Sequence, residues 1–156
     1  MAQKTAWTGA VLTESDINTY LMHEGGAWST YTPTLTQSAT PTKTVTIGRY
    51  ARIGRTIVGT VSLAVTSSGT AANAVLVGLP VASIAYAVNG SALGVGTIFD
   101  TSASSFYTGA LIYVSTTTAA IYGGGGVASA LGITQFTAAI ASGDVVTYNF
   151  CYEAAT

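Results

Sequence analysis

The chain has 156 residues and a net charge of -1, with only 7% charged residues against 49% hydrophobic ones, where soluble domains average about 25% charged. That length suits one domain able to bury roughly two-thirds of its unfolded surface. The balance excludes a disordered chain, which combines low hydrophobicity with high net charge, and it leaves little charge repulsion to keep copies apart. The mean hydropathy of +0.48 raises the question of a membrane. The uncharged run between Arg55 and Asp100 is interrupted by Asn73, Gly78, Pro80, Ser83, Asn89, Gly90 and Ser91. A spanning helix needs about 20 apolar residues together, so membrane insertion is not expected. The opening Met-Ala-Gln-Lys-Thr-Ala-Trp has no apolar core of a signal peptide, and the chain is expected to be made in a cytoplasm without secretion.

Residues 1–26 form the first segment and carry Lys4, Glu14, Asp16, His23 and Glu24. The pattern predicts one short α-helix there. Thr13 is an N-cap with Asp16 three residues on, and Leu12 and Ile17 are spaced as a hydrophobic staple. Ile17, Tyr20 and Leu21 share one face, and Gly25-Gly26 stops the helix. A helix of about 10 residues is marginal alone in water, so its apolar stripe must dock on something. The segment reads as a helical attachment peg, and residues 27–156 as a β-domain.

From Trp28 onward the chain reads as strands. Tyr31–Thr36 is an extended opening, with Pro33 favouring a sheet edge. Thr42–Ile47 alternates at period two, and Tyr50–Ile53 runs into Gly54-Arg55, a two-residue type II′ hairpin signal. Thr56–Val65 follows, with Val61, Leu63 and Val65 on a buried face. Further strands are expected at 74–77, 91–99, 105–114, 119–122, 135–138 and 144–152, the last after a Ser142-Gly143-Asp144 turn. The expected fold is all-β: an antiparallel, jelly-roll-like β-sandwich behind one N-terminal helix.

Chemistry-bearing groups are scarce. Cys151 is the only cysteine, so no disulfide forms within the chain, and it reads as a small buried strand residue. His23 is the only histidine, which leaves no His/Cys metal set in one chain. Asp100 and Asp144 fall at turn positions. Used together they would be the carboxylate pair of a glycan-degrading enzyme, but the turn reading is preferred. Gly123–Gly126 lacks the Gly-Lys-Ser/Thr of a phosphate loop, and no serine sits in a nucleophile elbow. Arg49, Arg52 and Arg55 cluster, but alternation sets Arg49 and Arg52 on opposite faces, so nucleic-acid binding is not expected. Pairing with a carboxylate or with backbone carbonyls suits these arginines better. The tyrosines read as core and sheet packing. No enzyme activity, cofactor or metal is expected.

The stretch Gly48-Arg-Tyr50-Ala-Arg52-Ile53-Gly54-Arg55-Thr-Ile-Val58-Gly-Thr-Val61 resembles a hairpin of β-domains in tailed-bacteriophage virion proteins. Trp28-Ser-Thr-Tyr31-Thr-Pro33-Thr-Leu35-Thr and Ala141-Ser-Gly-Asp144-Val-Val-Thr-Tyr148 through Tyr152-Glu-Ala-Ala are similar to the two ends of that domain in actinobacteriophage structural proteins. Gly9 through Leu21 resembles the helix that precedes it. The resemblance covers nearly the whole chain and carries no catalytic residues. It implies a symmetric β-sandwich, a homotrimer or similar, on the outer surface of a virion. A capsid decoration protein contacting the major capsid protein is the leading expectation. A tail-tip module that recognises a host surface glycan is the alternative. The residues expected to serve assembly are Leu12, Ile17, Tyr20, Leu21, Trp28, Arg49, Arg52 and Arg55.

Overall fold

A computed structural model describes residues 28–86, 90–123 and 138–155. The expected N-terminal helix, with Leu12, Ile17, Tyr20 and Leu21, lies outside the described residues, as do His23 and positions 135–137 of one expected strand.

The described chain is all-β and antiparallel. Its strands are β1 (Ser29–Thr30), β2 (Leu35–Thr36), β3 (Lys43–Ile53), β4 (Thr56–Val65), β5 (Val75–Gly78), β6 (Ala92–Asp100), β7 (Ser105–Ser115), β8 (Thr118–Gly123) and β9 (Val145–Glu153). They form one sheet in the order β1-β3-β4-β9-β6-β7-β8-β5-β2. The two outermost strands are near neighbours in sequence. Tyr31 N donates to Gly48 O at 2.9 Å on the β3 side, and Gly78 N donates to Thr34 O at 3.1 Å on the β5 side. Residues 31–34 can span at most about 14 Å. One extended segment, 29–36, therefore stitches β3 to β5, and the sheet curls around a single core.

The core follows from alternation. β4 turns Ile57, Val61, Leu63 and Val65 inward, and β9 turns Val146, Tyr148, Phe150 and Tyr152 inward. Leu35, Val75, Val77, Leu93, Ile98, Leu111 and Ile121 fill the remainder. Full burial of each such side chain contributes about 1.5–3 kcal/mol. Phe150 lies opposite Gly59, and a Cβ on Gly59 would run into its ring. The missing side chain thus gives an aromatic its place across the strands.

The β3–β4 hairpin is as expected: Gly54 has φ 60° and Arg55 has no positive φ, which is the type II′ pattern. Two details differ. The separate strands expected at 42–47 and 50–53 are one strand, β3, with a bulge between Val45 and Ile47. The bulge pairs Val45 with inward Leu63 but Ile47 with Ser62, so Ile47 points outward where strict alternation would bury it. Cys151 is exposed, not buried. The inward phase of β9 belongs to its even-numbered residues, which leaves 151 facing out.

Candidate interaction surface

The outward side chains of the sheet form rows across the strands. One row runs Ser62, Thr147, Thr97, Thr108 over β4, β9, β6 and β7. The next runs Ala64, Val145, Phe99, Phe106 over the same strands. A third runs Arg49, Thr60, Asn149, Val95, Ala110 and Tyr122 from β3 to β8. Thr97 Oγ1 and Thr108 Oγ1 lie 3.2 Å apart, and the Phe99 and Phe106 rings stack at 4.5 Å. Phe106 is 72% exposed and Val95 53%. Between β4 and β7 these rows hold hydroxyls, an amide and apolar groups and no charge. Sheet twist and pleat bring such neighbours within about 5 Å of each other, so the surface is continuous. The sequence does not reveal it, because strand order decides which residues adjoin; Thr60, Thr97, Thr108 and Thr147, one on the outward phase of each of the four strands, are its trace.

Of the expected assembly residues, Trp28, Arg49, Arg52 and Arg55 are described and lie at the hairpin end of the sheet. The Arg49 guanidinium sits 4.9 Å from the centre of the Trp28 ring, a cation–π contact worth about 0.5–1 kcal/mol when exposed. Arg55 Nη2 meets Glu153 Oε1 at 3.0 Å with both side chains half exposed, a pair that contributes little to stability. Arg52 Nε donates to Gly54 O at 2.8 Å and steadies the turn. Arg49 pairs across the sheet with outward Thr60 and Arg52 with inward Ile57, so the two arginines take opposite faces. The three arginines share a region but have separate partners and do not converge on one point.

Asp100 and Asp144 lie together at the far end, each inside a turn. Asp100 Oδ1 accepts from Ser102 Oγ at 2.7 Å and Ala103 N at 3.0 Å. Asp144 accepts from Thr101 N at 3.0 Å and Ala141 N at 2.8 Å. The Ser102 and backbone donors hold the Asp100 carboxyl below its ordinary range. Both carboxylates thus act as turn anchors in this geometry. Among the described residues no three His, Cys, Asp or Glu side chains come together in a metal-binding group.

The aromatic residues divide by face. Tyr31, Tyr50, Tyr148, Phe150 and Tyr152 meet in the interior where segment 29–36 closes on β3, with ring centres 5.7–6.3 Å apart. Three of the hydroxyls are bonded: Tyr31 and Tyr148 meet at 3.4 Å, Tyr148 donates to Gly78 O, and Tyr152 donates to Val81 O at 2.7 Å. Burial pushes all three phenols upward, Tyr152 to about 12. They belong to the core; among the described residues, Trp28 at the hairpin end and Phe106 with its neighbours offer aromatic surface to a partner. Comparison of the chain with protein families, with curated proteins and with solved structures finds no match.

Proposed function

We propose that this chain is a non-enzymatic structural protein of a bacteriophage virion, a capsid decoration protein that binds and stabilises the outer capsid surface as a symmetric oligomer, most simply a homotrimer. In this reading the curled sheet is a jelly-roll-like sandwich, and residues 1–26 are the attachment segment. The observation that carries it is the uncharged outward surface of β4, β9, β6 and β7, with Phe106 at 72% exposure. Exposed apolar patches rimmed by polar groups mark protein contacts, and aromatics are enriched at the centres of interfaces. The motif resemblance along the chain supplies the virion; the surface supplies the mode of action.

Copy number in purified virions tests the assignment. Tens to hundreds of copies per particle fit a capsid lattice, whereas three to about eighteen fit a tail. A second reading is a tail-tip module for a host glycan. It draws support from the Phe99–Phe106 stack beside the Thr97 and Thr108 hydroxyls, since an exposed aromatic flanked by hydroxyls suits the apolar face of a sugar ring. Purified protein that blocks phage adsorption to host cells would favour that reading over decoration.

A further inference from the structure

We propose that Trp28, Arg49, Thr60 and Asn149 form a shallow binding site for a carboxylate-bearing sugar of the uronic-acid class. The inference does not rest on the capsid assignment, and it sets the sugar away from the Phe99–Phe106 stack. Arg49 lies on the outward phase of β3 and is exposed. Its guanidinium sits 4.9 Å from the centre of the Trp28 ring, and Trp28 is 50% exposed. Stacking occupies the flat face of a guanidinium and leaves its N–H edge for an acceptor.

The three arginines of this region differ in what their donors already hold. Arg52 Nε donates to Gly54 O, and Arg55 pairs with Glu153. Arg49 has neither a carboxylate nor a hydrogen-bond acceptor among the described residues. Thr60 lies opposite Arg49 and Asn149 opposite Thr60, and neither side chain has a hydrogen bond among the described residues. By contrast, Thr97 and Thr108 satisfy each other at 3.2 Å, and Thr66 donates to Thr42 at 2.8 Å. A cation, a hydroxyl and an amide thus stand in one row, about 10 Å from end to end, beside an open indole.

That set selects the ligand. A guanidinium edge matches a carboxylate with two parallel bonds. A hydroxyl and an amide serve sugar hydroxyls as donor and acceptor, and an exposed indole suits the apolar face of a sugar ring. An acidic peptide fits less well. β1 already occupies the β3 edge here, with Ser29 opposite Tyr50 and Tyr31 N on Gly48 O, so an extended chain finds no backbone groups to pair with. Glu153, on the same outward phase of β9, is held by Arg55 at 3.0 Å and does not compete for Arg49. Phe106 lies on β7, four strand spacings from β3, about 19 Å across the sheet. The site therefore sits at the polar rim of a protein contact centred on Phe106.

Nuclear magnetic resonance titration of the full-length protein with D-glucuronic and D-galacturonic acid tests the site, with D-glucose and inorganic phosphate as comparison probes. At least one uronate should shift the Arg49 Nε–H, Trp28 Nε1–H and Asn149 side-chain amide signals with a Kd of about 1 mM, the range open to so small a ligand. Glucose and phosphate should bind at least about tenfold more weakly, since each lacks one half of the match. Arg49→Gln should weaken uronate binding at least about tenfold, and Arg49→Lys, which keeps the charge but loses the fork, at least about threefold. Lys43→Gln removes the same charge elsewhere on β3 and should change nothing, as should Phe106→Ala. Dispersed β4 and β9 amide signals report that each variant folds. Absence of these shifts at about 20 mM of either uronate, well above the expected Kd, would overturn the proposal. Equal affinity for phosphate, or an equal loss in Lys43→Gln, would also overturn it, because the protein would then attract anions at large. A loss in Phe106→Ala would overturn it by moving the sugar to the Phe99–Phe106 stack.

Discussion

Two regions built from the same kind of small polar residue behave in opposite ways. At the far end of the sheet, Gln37 is fully buried. Its Nε2 donates to Ala138 O at 2.8 Å and Asn73 O at 3.2 Å, and its Oε1 accepts from Ile140 N at 2.9 Å. One side chain thereby ties three segments over the core. On the outward sheet face, the hydroxyls of Ser62, Thr147, Thr97 and Thr108 line up across four strands, open to what lies outside. Polar groups that are buried and saturated hold the fold; polar groups in an exposed row beside Phe106 are available to a partner. The distinction is burial, because an unmade hydrogen bond is costly only where water cannot replace it.

The largest effect should come from Gln37→Leu, which keeps bulk but orphans the Ile140 N–H and two carbonyls. A loss of about 3–5 kcal/mol in denaturant unfolding is expected, at roughly 1–3 kcal/mol for each buried group left unpaired. A loss below about 1 kcal/mol would mean that water enters this end and the comparison fails. Asp144→Ala should cost about 2–3 kcal/mol by the same reasoning, since Thr101 N and Ala141 N lose their acceptor.

The tyrosine core gives a pH signature. Tyr31, Tyr148 and Tyr152 have folded-state pKa values raised above the ordinary 10 by burial. The unfolded chain therefore releases these protons first as pH rises. Their contribution is intact below about pH 10 and is lost progressively above it, so denaturation midpoints should fall there. Tyr148→Phe should flatten that fall and cost about 1 kcal/mol at neutral pH, because its bond to Gly78 O is lost. The smallest effect on stability, within about 0.5 kcal/mol, should come from Thr97→Val on the outward row. Calorimetry of this variant sharpens the contrast with Gln37, since both substitutions exchange a polar side chain for an apolar one of similar size.

Much of the fold is legible in the residues. The alternation of Val61, Leu63 and Val65, the Gly54-Arg55 turn and the Ser142-Gly143 turn all arise from local rules, and all stand in the structure. Non-local features escape. Nothing near Val45 announces a bulge, because its cause lies in the pairing with β4. Gln37 reads as a loop residue until residues 138–140 fold over it from a hundred positions away. The stitching by 29–36 depends on β3 and β5 both finding one segment. Cys151 was within reach: Val146, Tyr148, Phe150 and Tyr152 share a phase that excludes it. Of the expected assembly residues, Trp28, Arg49, Arg52 and Arg55 do share the hairpin end. The uncharged rows that carry the proposed function become visible only with the strand order.

The central claim is that the outward face of β4, β9, β6 and β7 exists to be covered by protein. Sedimentation of the unaltered chain beside Phe106→Glu tests it most directly. The account predicts a discrete oligomer at micromolar concentration for the first, and a folded monomer for the second, since a charge there would have to be desolvated at the contact. Identical sedimentation of the two proteins would contradict it.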